Sequence, residues 1–235
     1  MLGYNKNIPE DIHSLYQYHL NPPAGKEYIS SDIREHLPTL LDYASRYDTR
    51  NIVELGVRWI VSTIPLLVAR PHTMMSVDLE HPEETQWADR AEGKLDIIKE
   101  YIAQEDIDYS LVEADSREIE LRPSTDLLFI DTLHDYAQLK AELDKHHGNV
   151  QKWIILHDTE TFKNKDESTG KGKGLWPAIE EFVKEQDDWG LHCHYYNNNG
   201  MTILKRSSYD HSKLPDFDPG VTEYDEPRVR NKIGD

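Results

Sequence analysis

The sequence contains one cysteine, Cys193, so it can build neither an intrachain disulfide nor a cysteine-rich zinc site. It also has no long hydrophobic run. The longest nearly apolar stretch, IVSTIPLLVA, is ten residues with Ser62, Thr63 and Pro65 inside it, far short of the roughly 20 that span a bilayer. The first residues, MLGYNKNIPEDIHSLY, lack the basic start and apolar core of a secretory signal. A cytoplasmic protein without a membrane partner is expected. Positive charge is scarce: 26 Lys and Arg stand against 44 Asp and Glu, a formal charge of −18. Such a surface repels nucleic acid over a Debye length of about 8 Å, so no nucleic-acid partner is expected. The glycine fingerprint GxGxxG is missing as well, which argues against a nicotinamide-dependent oxidoreductase.

What is present fits a soluble globular chain, with 37% hydrophobic and 30% charged residues over 235 positions. Residues 1–48 read as a helical lead-in. Ser31 is placed to cap a helix whose apolar stripe is Ile33, Leu37, Leu40, Leu41 and Ala44, although Pro38 would kink it. From residue 49 to 207, short apolar runs alternate with longer amphipathic segments: NIVEL, MMSVDL, YSLVEAD, DLLFID, KWIILHD, LHCHYY and MTILKR, with helices expected over 62–70, 84–103, 135–147 and 175–187. The alternation predicts a doubly wound α/β domain with a mostly parallel sheet. The last two runs are joined by NNNG, which predicts an antiparallel hairpin at the end of the chain's sheet. Residues 208–235 form an acidic, proline-containing tail.

Ligands of open α/β sheets gather at the carboxyl ends of the strands. Here those ends are repeatedly acidic: Glu54, Asp78, Asp115, Asp131 and Asp158. Gly56 permits a sharp turn toward a ligand, and Asp78 follows it by 22 residues, near the spacing at which a carboxylate reaches ribose hydroxyls. Asp131 and Asp158 end neighbouring predicted strands with His134 and His157 beside them, a set able to hold a hard divalent cation. The plainer alternative is that these two aspartates cap the helices that follow. His146 and His147 end a helix, where imidazole suits the dipole, and are assigned no site.

In order and spacing, VELGVRWIVST, SVDLE, EADS, DLLFIDTLHDY and WIILHDT resemble the motif series of class I S-adenosylmethionine-dependent methyltransferases. The branch they resemble includes cephalosporin hydroxylase and macrolide-sugar O-methyltransferases. The resemblance covers residues 50–206. It implies a seven-stranded Rossmann-like sheet with the final strand inserted antiparallel, and S-adenosyl-L-methionine as cofactor. By the same resemblance Glu54, Gly56 and Ser62 would frame the methionine part, Asp78 the ribose, and Asp115 with Ser116 the adenine edge, with Asp131 also at the cofactor. Magnesium or another divalent cation would sit on Asp131 and Asp158, with His157 beside them, and His134 with Asp131 would carry catalysis.

Two positions depart from the family's pattern. Ile60 stands where a glycine is common, and its β-branched side chain would project toward the cofactor if the loop kept the usual course. Thr132 and Leu133 stand where Gly-Asp is common. The expected activity is methyl transfer to a hydroxyl of a small molecule or sugar; the alternative is a methyltransferase-like binding protein that has lost catalysis. Self-association is left open. The segment TETFKNKDESTGKGKGLWPAI directly follows Asp158, and is either a disordered surface loop or a lid on the site.

Overall fold

The computed structural model describes residues 9–26, 30, 32–46, 48–122 and 124–209. Seven strands form one mixed sheet in the order β3-β2-β1-β4-β5-β7-β6, flanked by helices, as the alternating pattern predicted. The chain divides into two compact units, residues 1–115 and 116–235.

The first unit carries three parallel strands: β1 (Asn51–Leu55), β2 (Thr73–Asp78) and β3 (Asp108–Glu113). Its first helix, α1 (Ile12–Leu20), was not expected. The signal is nevertheless present: Asp11 accepts the amides of His13 and Ser14 at 2.9 Å, and Ile12, Leu15, Tyr16 and His19 are buried at helical spacing. Helix α2 (Leu37–Ser45) is shorter than predicted. Pro38 lies in its first turn, where a proline removes no intrahelical hydrogen bond, so the expected kink does not arise. The cap assigned to Ser31 lies outside the described residues, as do 210–235 of the tail. After α3 (Thr63–Val68), the single helix expected over 84–103 is two, α4 (Ala88–Ala91) and α5 (Lys94–Glu105), broken at Gly93.

The second unit pairs β4 (Thr125–Ile130) parallel with β5 (Val150–His157), and places β7 (Met201–Arg206) antiparallel to both β5 and β6 (Trp189–Tyr195). Helices α6 (Tyr136–His146) and α7 (Leu175–Glu185) complete it. β4 is buried along its whole length and β5 at all but Gln151, the continuous apolar burial of a central parallel pair. No helix among the described residues is long and apolar enough to cross a membrane.

The predicted hairpin turn is present, and its composition has a cause. Asn198, Asn199 and Gly200 all take left-handed backbone angles, with φ of 43°, 69° and 90°, which Asn and Gly tolerate best. The turn then serves the residues after β5: the amides of Glu160 and Thr161 donate to the Asn199 carbonyl at 2.8 and 3.0 Å. A Cβ at Gly200 would lie 2.4 Å from the Glu160 nitrogen. Gly200→Ala should therefore cost about 2–4 kcal/mol, from left-handed strain plus the displaced turn. Urea denaturation of the two proteins checks this.

Candidate functional site

In the first unit the loop after β1 is shaped from beneath by Glu54, which is completely buried. Its carboxylate accepts the hydroxyls of Ser62 at 2.6 Å, Thr63 at 2.8 Å and Ser76 at 2.6 Å. Glu54 and Ser62 thus hold each other and the start of α3. Above them Gly56, Arg58 and Ile60 have φ of 89°, 47° and 65°. This run of left-handed residues turns the amides of Val57 and Arg58 onto one oxygen of Asp78, at 2.8 and 2.9 Å. Asp78 therefore ties the glycine turn to the end of β2, and its other oxygen has only a long 3.5 Å contact from the Glu80 amide.

Ile60 corrects an expectation. Its positive φ explains why a glycine suits this place, but the side chain does not project toward a ligand; it is fully buried in the interior. Beside it, the guanidinium groups of Arg58 and Arg90 lie 4.0 and 3.9 Å from the Trp59 ring. The Trp59 carbonyl accepts the ammonium of Lys94 at 2.7 Å. Lys94 was not foreseen, and nothing in its surroundings in sequence marks it. Burial, reinforced by the nearby Arg90 charge, pulls its pKa down to about 7.

In the second unit a similar buried carboxylate, Glu142, accepts Ser116 Oγ at 2.5 Å, Gln138 Nε2 at 2.8 Å and Thr132 Oγ1 at 2.9 Å. His146 donates to the Ser116 carbonyl at 2.7 Å. Ser116, expected at the adenine edge, takes part in this network, as does Thr132. Glu142 was missed, although its spacing from Gln138, Leu139, Leu143 and His146 places it on the buried face of α6. Asp115, the other adenine-edge candidate, is half-buried.

Past the ends of β4 and β5, Asp131, His134 and Asp158 each offer a ligand atom, all within 4.8 Å of one another. His134 Nε2 lies 3.2 Å from Asp131 Oδ1 and 3.0 Å from Asp158 Oδ2. Neither aspartate caps a helix. Asp135 caps α6, accepting the Gln138 amide at 2.8 Å, and α7 begins at Gly174 without a side-chain cap. Asp158 has φ of 59°, rare for a residue with a side chain, and its Oδ1 is buried without a hydrogen-bond partner. A strained, half-satisfied buried carboxylate beside a second carboxylate and an imidazole is a donor set that fits a divalent cation.

The third converging ligand atom comes from His134 and not from His157. His157 is buried behind the pair, with Nδ1 3.3 Å from Asp131 and 3.6 Å from Asp158. Burial would raise the Asp131 pKa, but the His157 and His134 rings overcome it and hold the carboxyl well below its usual range. Burial likewise lowers His134, yet Asp131 and Asp158 outweigh it and hold the imidazole up to about 11.

The segment after Asp158 is ordered. Asp166 accepts the Thr169 hydroxyl at 2.9 Å and the Gly172 amide, and Tyr136 N donates to Lys173 O at 3.0 Å. The segment lays Phe162 flat on the His134 ring, 4.6 Å between centroids, and brings Glu167 to its Nδ1 at 2.8 Å. Glu167 lies in a polar run without periodicity, so no sequence signal could have found it.

Neither a family model nor a curated protein sequence matches the chain. Solved structures do match its fold. A protein from Corynebacterium glutamicum aligns with a TM-score of 0.54 at 12% identity, over 85% of this chain and 99% of that one. The methyltransferase PaMTH1 of Podospora anserina, bound to SAH, aligns at 0.51 and 14% identity, over 86% and 90%. The N-methyltransferase NodS of Bradyrhizobium japonicum, in complex with S-adenosyl-L-homocysteine, aligns at 0.50 and 12%, over 83% and 98%. At these identities the likeness is one of fold.

Two outcomes follow for the first unit's loop. Between pH 7 and about 10.4 an unfolded lysine holds a proton that buried Lys94 has lost, so its contribution makes stability rise with pH across that window. Lys94→Met removes this component: relative to wild type, the variant should gain most at pH 7 and least at pH 10 by urea denaturation. Ile60→Gly relieves left-handed strain of about 1–3 kcal/mol but deletes a buried side chain worth about 2–5 kcal/mol. The variant should be less stable, and an increase in denaturation midpoint would show that strain dominates.

Proposed function

We propose that the chain is an S-adenosylmethionine-dependent O-methyltransferase acting on a hydroxyl of a small molecule or sugar, assisted by a divalent cation. The observation that carries the reading is the convergence of Asp131, Asp158 and His134 past two strand ends, with one buried Asp158 oxygen unpaired. The fold shared with SAH-bound methyltransferases supports the cofactor half.

In this reading Gly56 admits the cofactor's close approach, while Glu54 and Ser62 hold the loop's shape from below. Asp78 meets the ribose with the oxygen its loop amides leave unsaturated. Asp115 lies toward the adenine edge. Asp131 and Asp158 hold the cation and orient the acceptor, with Phe162 and Leu133 supplying apolar surface beside it. The cation supplies Lewis acidity that lowers the pKa of the acceptor hydroxyl. When bound, the cofactor would supply an electrophilic sulfonium methyl; its transfer to the acceptor hydroxyl would release S-adenosylhomocysteine and one proton, which would pass to solvent. The acidic surface disfavours polyanionic acceptors.

Isothermal titration should show binding of S-adenosylmethionine and S-adenosylhomocysteine but not NAD. Asp78→Ala should weaken binding by about 1–3 kcal/mol through loss of a charged acceptor. Chelator should leave cofactor binding nearly intact and stop transfer to a hydroxylated acceptor, with the divalent ion restoring it. Absence of heat with both sulfur ligands overturns the reading; full transfer in chelator overturns the cation's part alone.

A further inference from the structure

The segment that follows Asp158 holds His134 at Nδ1, at its carbonyl and by a stacked ring. Glu167 takes Nδ1 at 2.8 Å and donates its own amide to the His134 carbonyl at 3.0 Å. Phe162 stacks on the ring within 4° of parallel and is itself tied down at both ends, its amide to Asp158 O at 3.0 Å and its carbonyl to Leu175 N at 2.8 Å. A carboxylate only accepts, so Nδ1 carries the hydrogen whatever else the ring does. Nε2 also faces acceptors, Asp131 Oδ1 at 3.2 Å and Asp158 Oδ2 at 3.0 Å, so in the ion-free protein it carries a proton that a bound cation would displace, and the lone pair so freed is on Nε2.

That arrangement, carboxylate to imidazole to a cluster of anionic oxygens, is the outer support by which proteins orient a metal-binding histidine. Within the same cluster Asp158 Oδ1 is buried and makes no hydrogen bond, its nearest polar neighbour being His157 Nδ1 at 3.6 Å, so this carboxylate keeps an oxygen available to a ligand. We propose that His134 is the third ligand of the cation site, that Glu167 is the residue positioning it, and that the site therefore prefers Mn2+ to Mg2+. The proposal rests on the cation reading given above and deepens it. Its chemical basis is the mixed donor set. Mg2+ favours oxygen ligands and keeps several waters in a strict octahedron, whereas first-row transition ions accept an imidazole nitrogen beside carboxylates.

The test uses the full chain, stripped of metal and titrated with MnCl2 or MgCl2. Free Mn2+ is followed by electron paramagnetic resonance, and bound Mn2+ by the nitrogen modulation of its electron spin echo. Wild type should bind one Mn2+ at least about tenfold more tightly than Mg2+ and show 14N modulation. Glu167→Ala should weaken Mn2+ about 10–100-fold with little change for Mg2+, and Glu167→Gln, whose amide oxygen still accepts from Nδ1, should recover most of the loss. His134→Ala should abolish both modulation and preference, thermal melts confirming that each variant is folded. Because the wild-type modulation needs no variant, a misfolded mutant does not remove the test. Mn2+ bound without nitrogen modulation, equal affinity for the two ions, or an unaffected Glu167→Ala overturns the proposal and leaves the cation reading standing. No Mn2+ binding at all overturns both. Nitrogen-coupled Mn2+ in a protein that fails to bind S-adenosylmethionine overturns the methyltransferase reading alone.

Discussion

A carboxylate with no access to water, Glu54, is the constraint around which the first unit's loop is built. Removing a charged carboxylate from solvent costs several kcal/mol unless its oxygens are satisfied. Three hydroxyls satisfy it, and each lies on a different piece of the fold: Ser62 just before α3, Thr63 at its first position, and Ser76 in β2. With those three points fixed, only six residues, 56–61, connect the end of β1 to Ser62. The chain reverses within that length by placing Gly56, Arg58 and Ile60 in left-handed geometry. Two of the amides so turned find Asp78, and buried Lys94 holds the Trp59 carbonyl.

The second unit repeats the device with Glu142, saturated by Ser116, Gln138 and Thr132, and then departs from it at Asp158. Buried polar groups in folded proteins are nearly always paired, so an unpaired one separates the two kinds of carboxylate here. Glu54 and Glu142 are saturated and shape the backbone. Asp158 is left-handed, buried and half-satisfied, and the backbone around it is over-determined: Asn199 and Gly200 of the hairpin turn accept the amides of Thr159, Glu160 and Thr161. Strain survives where the surroundings enforce it, and here they do so beside the one cluster able to hold an ion among the described residues.

Much of this was legible in the sequence because burial writes itself in period. Continuous apolar runs marked β4 and β5, and the NNNG turn marked the hairpin that orders the segment after Asp158. The acidic strand ends were legible as a group, but their roles were not. Whether a carboxylate is buried under hydroxyls or left open depends on partners distant in sequence: Ser76 lies 22 residues from Glu54, and Ser116 lies 26 from Glu142. Glu167 was invisible for a related reason, since it reaches His134 across 33 positions from a run without periodicity. Ile60 was expected to face a ligand if its loop kept the usual course; the sequence supplied its identity and neither its φ nor its burial.

The same distinction bears on how an acidic chain tolerates its own site. Two carboxylates brought within reach of one atom repel each other, and the formal charge of −18 offers no general relief. Relief is local. The His134 ring lies between Asp131 and Asp158, and its remaining nitrogen is neutralised by Glu167. This makes a chain of alternating sign: carboxylates, imidazolium, carboxylate. A divalent cation between the aspartates would replace the central positive charge by a larger one in the same position, with Glu167 and Phe162 still fixing the ring. The residues that compensate the cluster without an ion are thus the ones that would present a ligand to it, so the site need not rearrange its framework to change occupant.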